Sequence, residues 1–145
     1  MKLETSRVIS IYGIAACAFL VLDLLWIGVV AKGFYAKYIG GMMHDQVNWA
    51  AVLIFYLVYI GGIVLFVIFP ALKNGSGILH VFVMGGLLGL FAYSTFDMTA
   101  LALLKGWPVV VAVVDMAWGT LLTAVTAAVT LWIMQNFLKP DGMIG

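Results

Sequence analysis

The sequence predicts an all-α polytopic membrane protein: a bundle of four transmembrane helices with the N and C termini on the same side. Of its 145 residues, 66% are hydrophobic and only 9% are charged, whereas a soluble domain is about half apolar and a quarter charged. The apolar residues form four long runs without strict alternation. Because backbone polar groups in lipid have to bond within the chain, such runs indicate helices that cross a bilayer.

The four runs form a single membrane domain that covers residues 1–145, with helices predicted at about 8–31, 49–69, 78–104 and 108–137. The first run is too long for the apolar part of a signal peptide and lacks a clear cleavage site, so we interpret it as a retained helix. The second is predicted to stop at Pro70, because proline removes a helical hydrogen bond. The fourth begins at Pro108, because the first turn of a helix tolerates proline.

The loop of residues 32–48 is expected to lie at the bilayer interface, because its Phe34, Tyr35, Lys37 and Tyr38 are suited to that region. An even number of spans places both termini on one side of the membrane. Four basic residues fall on the terminal side and three on the other, a small difference that favours cytoplasmic termini and leaves insertion in both orientations open. The two sets are Lys2, Arg7, Lys73 and Lys139 on the terminal side, and Lys32, Lys37 and Lys105 opposite.

Three acidic residues interrupt the apolar runs: Asp23, Asp97 and Asp115. Counted at about 1.5 Å per residue from the ends of the runs, each lies about 10–12 Å below the membrane face opposite the termini. Acids inside a membrane are costly, usually face the bundle interior and often mark a functional site. The competing interpretation is that they join helices through hydrogen bonds and do nothing more.

Two of the acids share a local pattern, Asp23-x-x-Trp26 and Asp115-x-x-Trp118. A spacing of three places each indole on the same helix face as its carboxylate, to which an indole N–H can donate. The third acid, Asp97, has Tyr93 four residues before it and Thr99 two residues after it. The predicted polar site therefore comprises Asp23, Asp97, Asp115, Trp26, Trp118, Tyr93 and Thr99.

The two histidines do not suggest a metal centre. His44 falls in the first loop and His80 at the opposite end of the third run, so no histidine pair has the spacing of metal ligands. We predict no cofactor and no metal. A net charge of +1 without a basic tract also predicts no nucleic-acid partner. The residues assign no catalytic role and leave open whether the chain is an enzyme.

A series of short motifs comes in a familiar order: FLVLDLLWIG, FY at residues 34–35, NWA, FYLVY, FPAL, GLFAYSTFDMT, GWP and VDMAWGT. Over nearly its whole length the chain resembles a bacterial membrane-protein family known as domain of unknown function 2177. The resemblance implies four helices in the bacterial inner (plasma) membrane and no established activity, with family members often encoded beside lipid-modifying enzymes. The family usually has D-[LM]-T-N around the third acid, and Ala100 stands here in place of the asparagine.

Three functions stay open at this point. The first is the handling of a lipid or small amphipathic ligand through the Asp/Trp layer, with membrane lipids as partners and with Asp97 and Asp115 contacting the polar group. The second is a small proton-coupled transporter, which would work as a dimer. The third is a structural or accessory subunit, in which the acids bind helices together. A homo-oligomer or a membrane partner protein fits the second and third functions.

Overall fold

The computed structural model describes residues 4–138, in which four helices are long and apolar enough to cross a membrane. The spans are Thr5–Val30, Trp49–Asn74, Ile78–Leu103 and Val109–Phe137. The all-α, four-span class is thereby confirmed, while the side of the termini stays a prediction. Lys2 and Lys139, which entered the charge comparison, lie outside the described residues.

The first span consists of helix α1, Thr5–Leu25, and a π-helical turn at Trp26–Val30. The turn is closed by a bond from the Ala31 N–H to the Trp26 carbonyl, five residues back. A short helix, α2, follows at Phe34–Ile39 and ends in a 3₁₀ turn. The loop predicted at the interface therefore contains a helix of its own.

The second span begins at α3, Trp49–Ile63, where the Asn48 side chain accepts a bond from the third residue of the helix. It continues through a π-helical segment at Val64–Ile68 into α4, Phe69–Asn74. The span ends at Gly75, whose φ of 65° is left-handed and favours glycine.

The predicted end of this span at Pro70 is wrong, because the helix runs on to Asn74. In a continuous α-helix, Pro70 would lack a bond to residue 66 and its ring would clash there. Here the wider π turn ends immediately before it, with the Phe69 N–H bonded to the Val64 carbonyl. Pro70 then falls in the first turn of α4, where a missing donor costs little.

Helices α5, Ile78–Leu103, and α6, Val109–Phe137, pack along much of their length. Glycines on α5 make this possible: a Cβ added to Gly89 would lie 2.2 Å from the Gly119 carbonyl oxygen, and one on Gly85 would lie 2.9 Å from that of Thr123. No side chain fits in such a gap. The glycine patch of the third run therefore packs helix against helix, as small residues do in membranes.

The hydrophobic core lies where α1, the second span and α6 meet, with Phe19, Ile63 and Leu122 fully buried. Large apolar side chains also cover the outside of the bundle, such as Leu79 at 76% exposure and Phe66 at 66%. A surface of this kind suits contact with acyl chains.

The first and third loops meet at one end of the bundle, which we call the loop end. The Met42 side chain of the first loop approaches Gly106 of the third, where an added Cβ would lie 3.6 Å from Met42 Cε. Since α1 ends there and α6 begins there, these two helices run in opposite directions.

Candidate functional site

A cavity of about 410 Å³ lies at the loop end, with Asp23 and Asp115 in its wall. The other polar or aromatic lining residues include Trp26, Lys32, Tyr35, Tyr93 and Trp118. Its apolar lining includes Ile27, Ile39 and Met43. Five of the seven residues predicted for the polar site, which are Asp23, Asp115, Trp26, Trp118 and Tyr93, thus line a single space.

Asp23 is 8% exposed and accepts hydrogen bonds on both carboxylate oxygens. The Tyr56 hydroxyl donates to Oδ2 at 2.6 Å, and the Trp118 indole donates to Oδ1 at 3.3 Å. The two donors come from α3 and α6, so this carboxylate joins three helices. Two donors on a buried carboxylate offset much of the cost of removing it from water.

Asp115 is held from the first loop. The Tyr35 hydroxyl of α2 donates to its Oδ1 and accepts a bond from the Trp26 indole at 3.2 Å. Its Oδ2 receives no side-chain bond from residues 4–138. Asp115 is half-buried and lines the cavity, so this oxygen is free to accept a bond from a molecule inside it.

The two Asp-x-x-Trp segments bond to each other across the bundle, whereas the sequence predicted a bond inside each segment. Trp118 donates to Asp23 of the other segment, and Trp26 reaches Asp115 through Tyr35. The helices α1 and α6 are antiparallel, so a step of three residues leads toward the loop end in α1 and away from it in α6. Trp26 therefore lies level with Asp115, and Trp118 lies level with Asp23.

The two indoles stack on each other, with ring centroids 4.5 Å apart and planes 8° apart. Burial and the neighbouring Asp115 raise the pKa of Tyr35 above its ordinary value of 10.0, because both disfavour a phenolate. Tyr35 therefore keeps its proton at neutral pH and remains a donor to Asp115.

Tyr93 reaches the cavity because Gly119 leaves room for its ring. A Cβ on Gly119 would lie 2.2 Å from ring atoms of Tyr93. The Tyr93 hydroxyl has no hydrogen-bond partner within the described part of the chain. It is a second polar group in the wall that can take up a ligand.

Asp97 lies apart from this cavity. It is fully buried on α5, and neither carboxylate oxygen has a hydrogen-bond partner within residues 4–138. Trp107 lies beside it, yet the geometry leaves the indole N–H without a partner as well. Of the three acids predicted to form one polar layer, only Asp23 and Asp115 line the cavity.

Thr99 is exposed on α5 and does not line the cavity. Ala100, at 5% exposure, is three residues after Asp97 and so lies on the same face of the helix. The position at which the chain departs from the D-[LM]-T-N pattern of the family that it resembles is thus close to the one buried carboxylate that lacks a partner among the described residues.

Two tyrosines of the site were missed from the sequence: Tyr35, interpreted as an interface residue, and Tyr56, to which no role was assigned. Residue type and spacing could not reveal them, because they contact the acids from other elements, 80 and 33 residues away along the chain. The only signal in the sequence was that both fall in motifs that carry the family resemblance, FY and FYLVY.

Elsewhere the described residues offer less chemistry. A larger groove of about 680 Å³ between α1 and α6 has an almost entirely apolar lining, such as Ile14, Val21 and Val129. Within residues 4–138, no three His, Cys, Asp or Glu side chains are grouped as they would be to hold a metal ion.

Fold and site together define the class: an α-helical membrane protein of four spans with a cavity of mixed polar and apolar lining at one end. A family model described as "Predicted membrane protein (DUF2177)" matches residues 8–132. The chain belongs to this family, domain of unknown function 2177. No curated protein and no solved structure matches the chain.

Proposed function

We propose that this four-span membrane protein binds a lipid or a small amphipathic molecule in the cavity at the loop end. The polar group of the ligand lies among the carboxylates and indoles, and its apolar part lies toward Ile27, Ile39 and Met43. The chain that contains this cavity is a membrane protein with four apolar helices, from a family of unknown function.

The observation that carries the proposal is the mixed lining of one cavity. Polar groups are expensive in a membrane unless they are paired, yet Asp115 Oδ2 accepts no side-chain bond from the described residues and belongs to a wall that also contains apolar side chains. Small-molecule sites combine an apolar wall with a few oriented polar groups, in volumes of roughly 300–1,000 Å³. The cavity, at about 410 Å³, falls in this range.

The lining residues divide into two roles. Asp115 and Tyr93 contact the ligand, because each retains hydrogen-bonding capacity toward the cavity. Asp23, Trp26 and Trp118 position the walls, because their polar atoms bond within the protein. Asp97, which the sequence favoured as a ligand contact, lies outside the cavity lining and has no part in this proposal.

The test fills the cavity without removing a polar group. Ala36 lines the cavity and is exposed, so Ala36→Phe adds a ring there. We expect native mass spectrometry of the purified protein to show a bound lipid or amphiphile in the wild type and its loss in this variant. Ala102→Phe is the matched control, because Ala102 is an exposed residue of α5 outside the cavity lining. Equal retention in all three proteins would contradict the proposal.

One observation favours proton-coupled transport as a second candidate. The Tyr35 hydroxyl, which can both donate and accept, is hydrogen-bonded to Asp115, a titratable carboxylate in the cavity wall. The route across the membrane would need to open, because Phe19, one turn from Asp23, is fully buried against Tyr56 and Tyr59. A transporter would therefore need a large movement or a pathway between two copies.

Flux measurements in liposomes test this second candidate. Asp115→Asn should abolish proton-linked flux without unfolding the protein. Absence of flux for every cation and amine tested would reject transport. If Asp→Asn variants lower stability but leave the cellular phenotype unchanged, the accessory-subunit function is favoured instead.

The membrane in which the chain lies and the side of its termini are also part of the proposal. We place the chain in the bacterial inner membrane with cytoplasmic termini, from the family resemblance and the basic residues. Reporter fusions at either terminus test the orientation: a periplasmic signal from both would reverse it.

A further inference from the structure

The hydrogen-bond donors in the cavity wall are largely committed to the wall itself. The Trp118 indole donates to Asp23, the Trp26 indole to Tyr35, and the Tyr35 hydroxyl to Asp115. An indole nitrogen and a phenol each have a single hydrogen to donate. None of these three groups can donate to a ligand without breaking a bond in the wall.

The capacity that remains is mainly that of an acceptor. Asp115 Oδ2 accepts no side-chain bond, and the Tyr93 hydroxyl, which can accept as well as donate, is also free within residues 4–138. Lys32 adds one ammonium on an exposed residue that follows the first span. The lining also contains two carboxylates, Asp23 and Asp115. When all three groups are ionised, the lining therefore favours a positively charged ligand over a negatively charged one.

We infer that the polar group of the ligand is a protonated amine, an alkylammonium that donates to Asp115 and Tyr93. The inference rests on the proposed function and narrows its substrate class. An ammonium supplies three donors and a positive charge, which match the free acceptors and the adjacent carboxylates. An anionic group would meet like charge, and a neutral hydroxyl would form weaker bonds with a carboxylate. Both indoles line the cavity, and an aromatic ring face attracts a cation.

Binding of three probes with the same chain length separates these cases. Full-length protein in a neutral detergent is titrated with n-octylammonium, n-octanol or n-octyl sulfate, and native mass spectrometry counts the bound molecules. We expect n-octylammonium to bind about tenfold or more tightly than the other two, as charge-assisted hydrogen bonds predict. Ala36→Phe should abolish this binding, which shows that it occurs in the cavity.

Variants then assign the binding to Asp115. Asp115→Asn should weaken n-octylammonium binding about tenfold. Asp97→Asn is the matched control, since it removes the same charge from a buried acid outside the cavity lining, and it should leave binding unchanged. If Asp115→Asn fails to fold, Tyr93→Phe removes the other free group and should weaken binding severalfold. Unchanged binding in a folded Asp115→Asn or Tyr93→Phe protein would overturn the inference.

The outcomes distinguish failure of the inference from failure of the proposed function. Equal binding of all three probes, abolished by Ala36→Phe, keeps an amphiphile site and overturns the amine preference. If no probe binds in a way that Ala36→Phe abolishes, both fail.

A competition experiment with lipids decides whether the amine belongs to a lipid headgroup or is a free amine. Displacement of n-octylammonium by phosphatidylethanolamine, but not by phosphatidylglycerol, supports an aminolipid headgroup. Displacement by neither lipid, with binding still dependent on Asp115, supports a free amine. Either result supports the alkylammonium class.

Discussion

Asp23 and Asp97 are buried acids with opposite surroundings, although the sequence places them at similar depth. Asp23 accepts one bond from α3 and one from α6 and forms part of the cavity wall. Asp97 is fully buried on α5, and both of its oxygens lack a partner within the described chain. What a buried acid does in a membrane bundle is thus decided by the donors that other helices bring to it, rather than by its depth.

The two acids also differ in their contribution to the stability of the folded protein. Asp23 exchanges water for two donors, one of them a phenol at 2.6 Å, and so adds to the stability of the bundle. An acid without such donors costs stability, because desolvation is not offset. Identical substitutions at the two positions should therefore have opposite effects.

The largest effect should come from closing the space that lets α5 approach α6, the helices that carry Asp97 and Asp115. In Gly119→Ala the new Cβ would lie 2.2 Å from the Tyr93 ring, which forces the helices apart. We expect the free energy of unfolding in mixed micelles to fall by about 3 kcal/mol. Gly13→Ala is the control, because its Cβ meets nothing within 4 Å. A similar loss in both variants would show that α5 and α6 pack less closely at Gly119 than these distances indicate.

Asp23→Asn should lower the free energy of unfolding by about 1–2 kcal/mol. The amide keeps the shape but removes the charge, and because it has one acceptor oxygen, only one of Tyr56 and Trp118 keeps the acceptor to which it donates. Equilibrium unfolding followed by circular dichroism measures the change. An unchanged value would mean that the two bonds to Asp23 contribute nothing, and the contrast with Asp97 would be lost.

Asp97→Asn should raise the free energy of unfolding by about 1 kcal/mol, since it removes a potential charge that has no donor among residues 4–138. The same unfolding experiment applies. A loss as large as that of Asp23→Asn would show that Asp97 has a stabilising partner and would remove the difference between the two regions.

Tyr35→Phe should have the smallest effect, a loss of about 0.5–1 kcal/mol at neutral pH, because one half-buried hydroxyl is removed. Its pH dependence is more specific. The pKa of Tyr35 is raised above 10.0 in the folded protein, so the unfolded chain loses this proton first as the pH rises. Stability should therefore fall above pH 10, and less steeply in the variant. Identical slopes would indicate that Tyr35 is not held by Asp115.

Much of the fold could be predicted, because hydropathy and residue count decide whether a helix crosses a bilayer. The stop at Pro70 was wrong because nothing local indicates that the preceding residues form a π turn able to accommodate the proline. The candidate site was predicted in part. Acids in apolar runs are visible in any sequence, whereas the bond from Tyr35 joins residues 80 positions apart.

The sequence by itself determined that the chain is a four-span membrane protein and that acids and tryptophans lie within its spans, because these properties depend on residue type along each helix. Only the tertiary structure decided that Asp23 bonds Trp118 rather than its neighbour, that Tyr35 turns inward, and that Asp97 stays outside the cavity. The physical reason is that a hydrogen-bond partner in a bundle is chosen by the direction and spacing of neighbouring helices, and these depend on packing contacts such as that of Gly119 with Tyr93.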